Sequence, residues 1–175
     1  MNKHLFLILF IFTIFYNVNG QSIGASVGGG LITGNSPNVS AYTTTIFLES
    51  PVIYNSISLR LSFLYAADYN QILPNTLTMY SPFIKGISLK ALTTQDFRGN
   101  LYLDEGLGLL ILNDRIFSGT DYLDYGFVIS LDAGFDLRNN SDSGFRIGAG
   151  TDFGFTFTNT YAKYFSIHLM GQYFL

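Results

Sequence analysis

Between Tyr122 and Leu137 the sequence alternates with a period of two, and this pattern leaves few folds open. Leu123, Tyr125, Phe127, Ile129, Leu131, Ala133, Phe135 and Leu137 are all apolar. The interleaved Tyr122, Asp124, Gly126, Val128, Ser130, Asp132, Gly134 and Asp136 are mostly acidic, hydroxylic or glycine. Successive side chains of a strand point to opposite faces, so the segment predicts a long strand with one apolar and one polar face. A helix would scatter the three aspartates around its circumference. Similar alternation runs through Phe145 to Phe157, Phe165 to Leu175, Ile57 to Tyr65 and Gly86 to Ala91. Weaker versions occupy Ser22 to Ile32, Ala41 to Ser50 and Arg98 to Leu112. Turn-forming residues separate them, at 34–37, 51–55, 68–82, 93–96, 113–121, 138–143 and 158–160.

These segments make eight strands, several of them longer than the ~5 to 6 residues usual in globular sheets. A tilted strand that crosses a membrane needs ~9 to 11 residues. An even number of antiparallel strands of that length predicts an all-β, eight-stranded up-and-down transmembrane barrel, with the polar face lining the lumen and the apolar face against lipid. A soluble lipocalin-like barrel reverses the two faces, and periodicity alone fits either. Composition separates them: charged residues are only 12% of the chain, against ~25 to 35% on the surface of a soluble domain. Aromatics, 17% of the chain, gather near strand ends (Tyr122, Tyr125, Phe155, Phe157, Tyr161, Tyr164, Phe165, Tyr173, Phe174), where interfacial girdles place them. Gly24, Gly28, Gly30, Gly148, Gly150 and Gly154 share the inner parity, as a narrow lumen requires.

At the N-terminus Lys3 precedes the apolar run Leu5 to Tyr16, and Val18-Asn19-Gly20 puts a small residue before Gln21. This is the pattern of a cleaved signal peptide over residues 1–20, which leaves a barrel domain over 21–175. The run is too short for a membrane-spanning helix, and charges or Gly, Pro and Asn interrupt every later apolar stretch. With no cysteine there is no disulfide, thiolate metal site, cysteine nucleophile or lipid-anchor cysteine. The net charge of −3 and the lack of a Lys/Arg cluster exclude an electrostatic footprint for nucleic acid.

The alternating Ile167, Leu169, Tyr173 and Leu175, and the glycine-punctuated strands around Leu107 to Leu110 and Arg146 to Phe157, resemble the small outer-membrane β-barrel domain families, the Bacteroidetes type most of all. C-terminal strands of that class more often end in Phe, whereas here Phe174 is penultimate. The resemblance spans residues 21–175 and implies fold and bacterial outer-membrane location, with lipid and the barrel assembly machinery as partners. It brings no catalytic residues.

Eight strands enclose a space that side chains roughly fill. Inner-parity Arg60, Lys90, Arg98 and Arg146 face Asp104, Asp124, Asp132, Asp136 and Asp152. This near-balance predicts a paired lumen charge network that plugs the barrel, because unpaired charge in so narrow a space is costly. Glu105 falls on lipid parity, so either a bulge at Asp104 to Gly106 turns it inward or the strand boundaries lie elsewhere. Lys85 and Lys163 share that parity near strand ends, where a long side chain reaches water.

No catalytic, metal or cofactor site is expected. His168 shares a face with Ser166, but same-face neighbours on a strand lie ~6.6 Å apart, beyond hydrogen-bond reach. Asp114, Asp121 and Asp142 lack the ligand density of a calcium loop and read as solvated turns. Gly148-Ala149-Gly150 precedes no helix, so it is no phosphate loop, and the glycosylation patterns at Asn38 and Asn139 have no meaning in a bacterial outer membrane. The apolar segment with Tyr69, Ile72, Leu73, Leu77, Met79 and Tyr80 is either a binding surface or a lid on the barrel mouth, and packing over the mouth is the expectation. The sequence therefore predicts a monomer with a structural or surface-interaction role. The alternatives are a conduit for small hydrophobic molecules and a soluble secreted ligand-binding barrel.

Overall fold

Eight antiparallel strands follow one another around a closed ring: β1 (Ser22–Thr33), β2 (Val39–Glu49), β3 (Ile57–Asp68), β4 (Phe83–Phe97), β5 (Leu101–Arg115), β6 (Tyr122–Asp136), β7 (Gly144–Thr156) and β8 (Lys163–Phe174). Each strand pairs with its sequence neighbour, and β8 returns to β1 from Ser22↔Phe174 to Thr33↔Lys163. This computed structural model describes residues 21–34, 38–53, 56–72, 80–117, 119, 121–138 and 143–175. The expected signal segment 1–20, the loop residues Leu73, Leu77 and Met79, Asn139 and Asp142 lie outside them.

The side chains sort by parity. Val27, Leu109, Phe145, Ile167 and Leu169 are exposed on the outer wall, whereas Arg60, Asp104, Asp132 and Gln172 are buried within it. A soluble barrel cannot hold charge inside and present Leu, Ile and Phe to water, so this polarity fits a wall solvated by lipid. The lipocalin-like alternative needs the opposite arrangement.

Gln21 and Leu175 mark one end of the barrel, joined by a bond from the Leu175 N–H to the Gln21 carbonyl at 2.8 Å. The same end carries the turns after β2, β4 and β6; we call it proximal. The connections after β1, β3, β5 and β7 make up the distal end.

The largest departures from the sequence reading lie in β4 and β5, the latter running over Leu101–Arg115 rather than 98–112. β4 continues through Thr93 to Asp96, where a turn was expected, and the turn lies at Arg98, Gly99 and Asn100. Gly99 (φ +82°) and Asn100 (φ +62°) take the left-handed conformation there, which these two residue types tolerate best. The outward Thr93 and Gln95 had broken the apolar alternation and concealed the strand. Nor does a bulge rescue Glu105: β5 pairs without interruption with β4 and β6, Glu105 opposite Thr93 and Leu131, and its side chain stands exposed on the apolar wall.

Several inner glycines stand where a large side chain crosses the lumen. A Cβ on Gly24 would lie 2.2 Å from the Phe47 ring, one on Gly148 2.4 Å from the Tyr102 hydroxyl, and one on Gly150 1.9 Å from an Asp132 carboxylate oxygen. At such distances even an alanine would require the facing side chain to move, so the glycines set the present shape of the interior.

Candidate functional site

The lumen is layered along its axis. Its proximal half holds charge, because all eight strands deliver polar inner-parity residues there. The Arg60 guanidinium reaches across from β3 to Glu49 (2.9 Å), Asp104 (3.3 Å) and Asp132 (2.8 Å) while lying 4.4 Å from the centre of the Phe47 ring. It is 2% exposed, so these three acids take the place of water around it. Arg146 joins Asp136 (3.0 Å) to Asp104 (3.6 Å) and stacks 4.2 Å over Tyr102. Lys90 pairs with Asp152 at 3.2 Å, and His168 Nε2 lies 3.0 Å from Asp132. Gln172 donates to Glu49 and to the Ser22 hydroxyl, and Thr94 donates to Asp104.

At the proximal mouth Arg138, just past the end of β6, closes on Asp136 with several hydrogen bonds and stacks 3.8 Å over Phe174. The hydrogen bonding to Asp136 raises its already high pKa further. A polar hollow of about 280 Å³ opens here, lined by Glu49, Ser58, Thr94, Asp96, Arg138 and Arg146 among others.

Further along the axis the wall turns hydroxylic. Ser26, Thr43, Thr45, Ser62, Ser88, Ser130 and Ser166 are all buried. Thr43 and Ser166 hydroxyls pair at 2.7 Å. The hydroxyls of Ser62 and Ser130 are buried without a protein partner, and buried polar groups of that kind are ordinarily met by internal water.

The distal half is apolar, contrary to the expectation of a polar inner face throughout. Ile32, Leu64, Ile84, Leu110, Leu112, Val128 and Tyr164 pack together with Ala41, Ala66, Ile116 and Ala162. These residues meet neither lipid nor bulk water, so packing against one another satisfies them. Above them Asp124 accepts bonds from the Thr158 and Thr160 hydroxyls (2.9 and 2.5 Å) and from the Thr160 N–H, and Asp114 accepts from the Ile116 N–H.

Of the nine residues predicted to share the lumen network, Arg60, Lys90, Asp104, Asp132, Asp136, Arg146 and Asp152 come together in ion pairs. Asp124 lies inside but is bonded to threonines instead. Arg98 is not in the lumen at all: it stands exposed in the turn between β4 and β5, because β5, expected from Arg98, begins only at Leu101. Glu49 was missed. Its parity with Ala41, Thr43, Thr45 and Phe47 on β2 marked it as inward, although the alternation on that strand is weak. Ser166 and His168 take separate partners, Thr43 and Asp132, so they form no nucleophile–base pair.

Distal aromatics gather on the outer flank rather than over the mouth. The Tyr69 hydroxyl occupies the space a Gly29 Cβ would take, its ring lies 6.4 Å from that of Tyr42, and Gln71 accepts from the Tyr42 and Tyr65 hydroxyls. In its described part this loop is therefore no lid. Tyr80 donates its hydroxyl to the Arg115 carbonyl, and burial pushes its pKa up.

No protein-family model matches the sequence, and no curated protein sequence matches it. Among solved structures, the crystal structure of Neisserial surface protein A (NspA) is similar over 89% of this chain and 97% of its own, at 11% identity and a TM-score of 0.67. Ail, the attachment invasion locus protein of Yersinia pestis, covers 87% of this chain and 96% of its own at 13% identity and a TM-score of 0.48. The N-terminal β-barrel domain of Pseudomonas aeruginosa OprF covers 87% and 97% at 16% identity and 0.46. The likeness to the first shows a shared fold, that of a small eight-stranded outer-membrane barrel.

Proposed function

We propose that the chain is an integral protein of the bacterial outer membrane, exported by its first twenty residues, monomeric, and closed to solute flow by its own side chains. Its role is structural or surface-directed, exercised through the distal loops, and involves no chemistry of its own. The observation that carries this reading is Arg60, which ties β3 to β2, β5 and β6 in the proximal lumen beneath an apolar distal plug. Continuous pairing between all eight strands supports a wall without a lateral opening, which a conduit for hydrophobic molecules requires. NspA, a surface protein by name, has the same fold, which is consistent with such a role.

The test is single-channel recording in a planar bilayer. The folded protein should show no sustained conductance, whereas Arg60→Ala, which unlocks the charged layer, should raise the frequency of brief openings. Steady channels from the unaltered protein would overturn the proposal.

A further inference from the structure

On the outer wall, β4 and β5 carry a short apolar patch. Ile87, Leu89 and Ala91 stand opposite Ile111, Leu109 and Leu107. Lys85 and Asn113 bound this patch distally and Thr93 and Glu105 proximally. From Lys85 to Thr93 the strand runs ~27 Å at ~3.4 Å per residue. At a tilt of ~45° that is ~19 Å along the membrane normal, short of the ~25 Å apolar band usual for such barrels. On β6 the outward residues stay apolar from Leu123 to Phe135. The bilayer's polar boundary is therefore drawn inward over β4 and β5.

A hollow of about 340 Å³ opens at the distal edge of this patch, with Phe63, Tyr65, Ile87, Ile111 and Leu123 around it and Lys85 and Asn113 on its rim. Lys85 is exposed, 5.3 Å from the centre of the Phe83 ring, and has no ion-pair partner among the described residues. Arg115, another outward cation at the distal end, is held by Asp121 at 3.1 Å. Lys163 stands on β8 and is not among the residues around this hollow.

We infer that this flank binds an anionic lipid of the outer leaflet, a phosphorylated glycolipid, with a phosphate on Lys85 and one acyl chain in the hollow below it. An apolar slot with a single unpaired cation at its interfacial rim matches the two ends of such a lipid. The shortened apolar span brings the phosphate level down to the lysine. The inference rests on the membrane reading above and on a distal end that faces outward.

The protein refolded in mixed micelles, offered lipid A and phosphatidylethanolamine in equal amount, is examined by native mass spectrometry. The unaltered protein should retain lipid A preferentially, and Lys85→Gln should lower that retention about five-fold. Lys85→Arg should preserve it, and Lys163→Gln should leave it unchanged. Ile111→Trp, which fills the hollow, should reduce retention of both lipids. Equal effects of Lys85→Gln and Lys163→Gln, or no preference in the unaltered protein, would overturn the inference. Heat-dependent gel mobility reports folding for each variant. A protein that never folds with lipid or detergent defeats the membrane reading itself, whereas one that folds without preference defeats only the lipid site.

Discussion

Arg60 gathers Glu49, Asp104 and Asp132 around one guanidinium, so its removal strands three buried acids at once. Breaking a buried ion pair from one side costs about 3 to 5 kcal/mol. Arg60→Met should therefore lower stability by at least that much in a urea titration of the folded, micelle-bound protein. The double variant Arg60→Met with Asp104→Asn should recover part of the loss; no recovery would show that Asp104 had not depended on Arg60. Gly150→Val tests the glycine side of the same contact. Its new side chain meets an Asp132 oxygen, and the expected cost is about 1 to 3 kcal/mol in the same titration. Parity made the inward placement of Arg60, Asp132 and Arg146 legible in the sequence. It could not name their partners, because contact across a lumen depends on how the strands are staggered when the sheet closes.

β4 and β5 are the elements least visible in the sequence. Their outward faces interrupt the apolar alternation at Lys85, Thr93, Gln95, Glu105 and Asn113, so the expected β4 covered only 86–91 and its turn was placed on residues that are strand. β6, with an unbroken apolar face, was expected over 122–137 and is observed over Tyr122–Asp136. Pattern reading works where lipid uniformly demands apolar residues and fails where a strand meets the interface early. Glu105→Leu extends the apolar patch over that early boundary. It should stabilise the folded barrel by up to about 1 kcal/mol, since a cationic side chain on the lipid face near an interface costs about 0 to 1 kcal/mol and a carboxylate less. A destabilised variant would mean that Glu105 is engaged by a partner rather than exposed to the bilayer.

For the molecule as a whole, the arrangement of turns and loops predicts an orientation. The chain contains no cysteine, so single cysteines are clean reporters. Asn159→Cys at the distal end should react with a membrane-impermeant maleimide on intact cells, and Asn100→Cys at the proximal turn should react only after the envelope is breached. The reverse labelling would invert the barrel. Closure of the ring was expected from an even strand count, but the division of its interior into a charged half and an apolar half was not. Inward Leu64, Leu110 and Val128 read as lapses in a polar alternation until the distal cluster that they build is seen. That division makes the interior a dielectric step. An ion driven from the proximal side finds carboxylates, guanidinium groups and hydroxyls that replace its hydration shell as far as mid-barrel, while one from the distal side passes only Asp114 and Asp124 near the mouth before it must shed its water against aliphatic side chains. Any residual leak through the barrel should therefore rectify, and each leaking ion should halt halfway.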